Sequence, residues 1–392
     1  MPQSSVFSLT RDNCSLVGST LRVIAPNDAH VAQNRLKLHP MSEIQTSIET
    51  LSPIGKSALQ SGHRVCVAPM LHWTDRHCRY FHRLLTRHAL LYTEMVTTGA
   101  LIHSDVANHL RFNAQEQPLA LQIGGSEPAD LARCARLAEQ WGYCEVNLNC
   151  GCPSERVQRG SFGACLMQVP LLVADGVKAM RDAVSIPITV KHRIGIDRVE
   201  SYDFVRDFVG HVSLAGCTTF IVHARNAWLQ GLSPKDNREV PTLRYEWVYR
   251  LKRDFPDLVI VLNGGVRRSD EIEAHLCHVD GVMVGREAYH NPWWLSEWDA
   301  RFFSPELLSS NVACHARSTP MTRESVELQM VDYMTTLLDG TPWLSVARHL
   351  LGLRHGLAGS RHWRHMWSDH KLIHLSPLQV MVLAQQQSLG SQ

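Results

Sequence analysis

The sequence predicts a (β/α)8 TIM barrel followed by a small C-terminal helical domain. Three observations predict it. Short apolar runs recur eight times between residues 63 and 287. Helix-like segments lie between those runs. Beyond about residue 300 the runs stop and the pattern is helical alone. Each run is apolar on both faces and bounded by Gly, Pro or polar residues. That is how strands of a parallel sheet, covered on both sides, read. An open doubly wound sheet uses the same units, but eight of them favour closure.

Taken in order, residues 1–60 lack strong periodicity and are rich in Ser, Thr, Asn and Gln. They are expected to form a disordered N-terminal extension. The first 41 residues hold four basic and two acidic side chains. An organellar transit peptide is one reading of them, and a true start at Met41 is another. The barrel is expected over 61–305. Its strands are "HRVCVAPM" (63–70), "ALLYTEM" (89–95), "PLALQIGG" (118–125), "CEVNLNC" (144–150), "PITVKHRIG" (187–195), "TTFIVHAR" (218–225), "DLVIVLNGG" (257–265) and "GVMVGRE" (281–287).

The clearest helix is 127–142. Ser126 is its expected cap and Pro128 sits in its first turn. Leu131, Cys134, Leu137, Ala138 and Trp141 recur on one face, and Gly142 ends it. A second helix is expected over 171–184. The helical domain, 306–392, is expected to hold helices over 322–340, 345–356 and 376–390.

Within that domain, residues 348–371 carry Arg348, Arg354, Arg361, Arg364 and Lys371 against one acid, Asp369. Histidines and two tryptophans, Trp363 and Trp367, are interleaved. Two readings stay open. One is a solvated helix face with the tryptophans packed inward. The other is a phosphate-contacting patch with aromatic rings for stacking.

Composition narrows the class. The 392 residues are 44% hydrophobic and 19% charged, as in a globular protein with a sizeable core. The net charge of +2 excludes a general polyanion binder, so any nucleic-acid surface must be local. No apolar run reaches the length of a membrane span, and no signal peptide opens the chain. Eleven scattered cysteines, with no C-x-x-C pair, suit reduced thiols in a cytoplasmic compartment. A metal centre is not expected.

In such a barrel the active site lies at the C-terminal ends of the strands. Those ends read Pro69-Met70-Leu71, Gln122 with Gly124-Gly125, Asn147 and Asn149 with Cys150 and Cys152, Lys191 and Arg193, His223 and Arg225, Asn263-Gly264-Gly265, and Gly285-Arg286. Charged groups inside apolar strands are costly unless partnered, and a bound polar ligand is the simplest partner. The glycines of the last two strands suit close approach of backbone N–H groups to a phosphate, and Arg286 adds a guanidinium. A mononucleotide with its head toward Gln122 and Lys191 fits this layout, and FMN is the expected cofactor. Pyridoxal phosphate, or a Schiff base on Lys191, is the chemical rival. It would leave Gln122 and the cysteines without roles.

Together "APML", "LQIGG", "EVNLNCGCPSERV", "VKHRIG", "VHARNAW", "LNGGV" and "VGRE" resemble the tRNA-dihydrouridine synthases. "TEMVTTGALIH", "GLSPKDNREVPTLRYEWVYRLK" and "ARHLLGLRHGLAGSRHWR" are similar to the bacterial A-type branch, which acts around tRNA position 20/20a in the D loop. The match covers roughly residues 63–375. The resemblance implies an FMN barrel, reduced by NADPH or NADH, and a helical domain that helps hold tRNA. Pro69, Met70 and Leu71 would lie against the flavin, with Gln122 and Lys191 on its ring. His223 would stand near its phosphate end. Asn263, Gly264, Gly265, Gly285 and Arg286 would hold the phosphate.

The resemblance also implies the chemistry. Hydride would pass from flavin N5 to uracil C6, and Cys152 would give the proton to C5. Asn149 and Arg193 would sit beside the uracil. Lys235, Arg238, Arg348 and Arg361 would contact tRNA. A monomer needing no protein partner is expected. A dihydroorotate dehydrogenase-like reductase of a free pyrimidine is the alternative. The N-terminal extension is not required by the family pattern.

Overall fold

The structure, a computed structural model, describes residues 62–303, 321–337 and 339–386. The expectations for residues 1–60 lie outside the described residues. Eight parallel strands close into a barrel: β1 (Val65–Val67), β2 (Leu90–Tyr92), β3 (Leu119–Gly124), β4 (Glu145–Cys150), β5 (Ile188–Arg193), β6 (Thr219–His223), β7 (Val259–Asn263) and β8 (Gly281–Val284). Closure is made by β1, which pairs with both β2 and β8, and by β2 pairing with β3. A two-residue strand, Val96–Thr97, caps the edge of β3.

Helices α1 (Arg76–Leu85), α2 (Pro128–Gln140), α3 (Pro170–Ala183), α4 (Tyr202–Leu214), α5 (Tyr245–Asp254) and α6 (Ser269–Leu276) surround it. One face of each strand packs outward on these helices in the large core, which includes Leu121, Val146, Leu148, Val190 and Val222. The other face fills the barrel. There Cys66, Ala68, Leu90, Tyr92, Ala120, Ile221, Val259, Val261 and Met283 form a second, smaller cluster. The rest of the barrel lining is polar, and that is where the site lies.

The helices expected over 127–142 and 171–184 are α2 and α3, with local differences. Glu127, not Ser126, occupies the N-cap of α2, and no side chain caps it; Pro128 opens the helix without an N–H to satisfy. Trp141 is exposed at the far end. Gly142 follows with φ +86°, the left-handed conformation that lets the chain turn back.

The C-terminal part belongs to the same compact unit as the barrel. It contains α7 (Arg323–Thr336), α8 (Ser360–Ser368) and α9 (Pro377–Gln386). The expected helix over 345–356 is instead a short helix, Trp343–Ala347, and a 3₁₀ turn, Leu350–Gly352. The reason is close packing. A Cβ on Gly352 would lie 2.6 Å from His290 O and 2.5 Å from Pro292 Cδ. The chain is pressed against the segment that leaves β8.

Three contacts lock these helices onto α1. Tyr333 stacks on Tyr80 with ring centroids 3.9 Å apart. Its hydroxyl lies 2.8 Å from His77 Nδ1. Asp75, which caps α1, is paired with Arg348 and lies 3.1 Å from His349 Nε2. Burial alone would raise the Asp75 carboxyl, but the His349 bond, the Cys78 N–H and Arg348 outweigh it and hold it well below the usual range.

Candidate active site at the barrel mouth

Strand register builds the site in successive rows. Gln122 pairs with Asn147, Asn149 with Lys191, Arg193 with His223, and His223 with Asn263. Side chains alternate along a strand, so Lys191 and Arg193 share the inner face. His192 between them faces outward, 5.0 Å from the Phe208 ring.

The same alternation separates the two cysteines of "NCGC". Cys150 is fully buried in the outer core, where burial pushes its thiol up. Cys152 lies two residues past the strand and is half-buried. Its N–H donates to Asn149 Oδ1 at 3.0 Å, and its carbonyl accepts from Ala164 N–H at 2.9 Å. Its thiol is 3.4 Å from Ser154 Oγ. Gly163, at φ +79°, allows that second contact, because a Cβ there would sit 2.6 Å from Cys152 O. Cys165 is turned away, its thiol donating to Phe162 O at 3.1 Å.

Arg193 ties the mouth together. It donates to Gly151 O at 3.2 Å, Asn226 O at 3.1 Å and Asn237 O at 2.8 Å. Burial lowers its guanidinium to about 9. Burial, and then the charge of Arg193, lowers Lys191 to about 7. Among the described residues no hydrogen bond or ion pair is drawn to the Lys191 ammonium. His223 is held well below its ordinary range by burial and then by Arg193, Lys191, Arg225 and Arg238. Arg286 completes the cationic set and pairs with Glu239. Among the described residues Lys191, Arg193, Arg225, Arg238 and Arg286 gather here, and the arrangement suits an anion.

The glycines give that anion room. Gly264 and Gly265 have φ of +117° and +77°. A Cβ on Gly265 would meet Tyr245 OH at 2.5 Å and Leu243 Cδ1 at 2.6 Å; one on Gly264 would meet His223 Cδ2 at 2.8 Å. Gly285 is open, with only Ala68 Cβ at 4.0 Å. Asn263 spends its amide on Met283 O at 2.7 Å and so braces the two strands. Pro69 and Met70 are half-buried at the rim, where Thr74 Oγ1 accepts from Met70 N–H at 2.9 Å, and Leu71 is 58% exposed. Gln122 donates to Asn147 and accepts from Asn149, which leaves one amide N–H and one lone pair unspent.

The outlying basic residues divide. Lys235 and Arg238 are exposed around the turn Asp236–Arg238. Arg361 is exposed on α8. Arg348 is committed to Asp75 and to His72 O, the latter at 2.9 Å. The tryptophans are inward. Trp363 and Trp367 donate to Glu327 Oε1 at 2.7 and 2.9 Å, and Arg354 pairs with Glu327 Oε2 at 3.0 Å. Among the described residues, Arg361, Arg364 and Lys371 are the Arg and Lys side chains of that stretch that are exposed and not paired with a carboxylate.

The whole chain can be set beside known proteins. Residues 66–381 match the family model described as dihydrouridine synthase (Dus). The chain belongs to the dihydrouridine synthase family. Curated relatives named tRNA-dihydrouridine(20/20a) synthase include one from Pseudomonas putida, 55% identical over 82% of this chain and 93% of that protein. The protein of that name from Escherichia coli K12 is 52% identical over 85% and 94%. The one from Yersinia pestis is 54% identical over 84% and 92%. This member of the family therefore spans nearly the full length of such relatives.

Four residues of the site escaped the sequence reading: Glu145, Thr189, Asp75 and Glu327. Glu145 had a signal. It precedes Asn147 and Asn149 at two-residue spacing, which puts all three on the inner face. Thr189 had the same signal, two residues before Lys191 on β5; Asp75 and Glu327 find their partners only through tertiary contacts.

Proposed function

We propose that this protein reduces uridines of the tRNA D loop, around position 20/20a, to 5,6-dihydrouridine with resident FMN and NADPH. The observation that carries the reading is the placement of half-buried Cys152, whose N–H donates to Asn149 Oδ1, one strand from Lys191. The residues fit a flavin phosphate ester. Gly264, Gly265, Gly285, His223 and Arg286 would hold its phosphate, and Gln122 and Lys191 its ring. FMN, when bound, supplies hydride for uracil C6, replenished from the nicotinamide.

The chain's own residues do the rest. Lys191 offers positive charge where the reduced ring gathers negative charge. Asn149 and Arg193 position the uracil. Cys152 gives its proton to C5 as hydride reaches C6, so one hydride and one proton saturate the C5=C6 bond. A positioned thiol is a competent proton donor. Turning the base out of the folded tRNA brings it to the mouth. Lys235, Arg238 and Arg361 take phosphates. Arg348 acts indirectly, by seating the helical domain on α1.

The test is a map of dihydrouridine in tRNA from a strain lacking this protein. The wild-type gene restores D-loop dihydrouridine. Cys152→Ala gives a yellow protein that restores less than about one hundredth of it. Wild-type product from that variant would exclude the cysteine as the acid.

A further inference from the structure

Below the mouth, β4 sends Glu145, Asn147 and Asn149 into the barrel. They are 2%, 0% and 9% exposed. Buried polar groups are costly without partners, yet each of these is bonded. Glu145 Oε1 accepts from Tyr92 OH at 2.9 Å and from Thr189 Oγ1 at 2.6 Å, and its Oε2 lies 2.7 Å from His63 Nε2. Thr189 Oγ1 accepts from Asn147 Nδ2 at 2.8 Å. Asn147 Oδ1 accepts from Gln122 Nε2 at 2.8 Å. Gln122 Oε1 accepts from Asn149 Nδ2 at 2.9 Å. Asn149 Oδ1 accepts from the N–H groups of Gly151 and Cys152, at 3.1 and 3.0 Å.

The polarity of this chain is set from both ends. Backbone N–H groups only donate, so Asn149 must turn its oxygen to Cys152. A carboxylate only accepts, so Thr189 must spend its single proton on Glu145 and accept from Asn147. The three amides between have one arrangement that satisfies both ends. Flipping any one sets donor against donor or acceptor against acceptor.

We propose that Glu145 and Thr189 are positioning residues for the reaction. Through Asn147 they set which edge of the Gln122 amide stays free. Through Asn149 they hold the backbone of Cys152. The proposal rests on the reading of Cys152 as proton donor and Gln122 as flavin contact. Neither positioning residue touches the reacting atoms.

Thr189→Val tests it by removing the hydroxyl while keeping the shape; Thr189→Ser keeps the hydroxyl. Two quantities are measured. One is the rate of Cys152 alkylation by iodoacetamide in ligand-free protein, mapped by mass spectrometry. The other is dihydrouridine formation on tRNA. Thr189→Val is expected to raise the alkylation rate about tenfold and lower product formation about tenfold, as for one orientation-setting hydrogen bond. Thr189→Ser returns both to within about twofold. Should Thr189→Val fail to fold, Glu145→Gln keeps the shape, admits a donor facing Thr189, and is expected to shift both readouts alike.

Unchanged alkylation in a folded Thr189→Val variant overturns the proposal. So does equal loss in the Val and Ser variants, which would mark a packing effect. If alkylation shifts as expected but even the wild type makes no dihydrouridine, the relay stands and the assigned reaction falls.

Discussion

Lys191 makes the sharpest demand on a ligand. Its amine falls from 10.5 to about 7 because burial and Arg193 disfavour the charge. At about 1.4 kcal/mol per tenfold change, this is about 5 kcal/mol of unfavourable charging in the ligand-free site. A bound anion that offsets it must draw a proton back. At pH 8 an amine with a pKa near 7 is about nine-tenths neutral, so restoring its ordinary value takes up about 0.9 proton per site.

The assay is anaerobic calorimetric titration of chemically reduced FMN, whose ring carries the negative charge, into ligand-free protein at pH 8, in two buffers of different ionisation enthalpy. The phosphate of FMN is already doubly ionised there and adds little. His223 is also held neutral and can add to the uptake. The difference between wild type and Lys191→Met therefore isolates the lysine. An equal proton count in the two proteins refutes the reasoning. The sign for stability follows from the same shift. Between about pH 7 and 10.5 the unfolded chain binds one proton more than the fold, so ligand-free stability rises with pH across that window. Lys191→Met flattens that rise.

Three further outcomes are expected. Gly265→Ala places a side chain at φ +77°, 2.5 Å from Tyr245 OH, so it destabilises the fold by about 1–3 kcal/mol and lowers bound flavin; an unchanged melting temperature with full flavin content refutes it. Arg361→Ala with Arg364→Ala weakens tRNA binding and flattens its salt dependence by about two counterions with the flavin spectrum intact. Arg348→Ala instead lowers thermal stability by up to about 1 kcal/mol, because it strips the half-buried Asp75 of a cation; a salt slope that falls as much for Arg348→Ala as for a single exposed arginine refutes the distinction.

Much of the site was legible in the sequence because barrels place function at strand ends. Once eight runs were recognised, Gln122, Lys191, His223 and Gly264 followed from where each run stopped. Cys150 and Cys152 were separable for the same reason, since alternation is a property of the backbone. The helical domain was less legible. The same 348–371 stretch suited an exposed basic patch or an inward aromatic face. Glu327 decided only that the tryptophans turn inward, and Glu327 lies on a different helix.

By itself the sequence determined strand order, inner and outer faces, and the chemical inventory of the mouth. These rest on local periodicity and on turn residues, which act over a few positions. The tertiary structure alone decided which polar groups pair. It joined His63 and Tyr92 to Glu145, Asp75 to Arg348, and Glu145 to the loop of Cys152. Those pairs are brought together by closure of the barrel and docking of the C-terminal helices. Hydrogen-bond direction then follows from which partner can only accept and which can only donate.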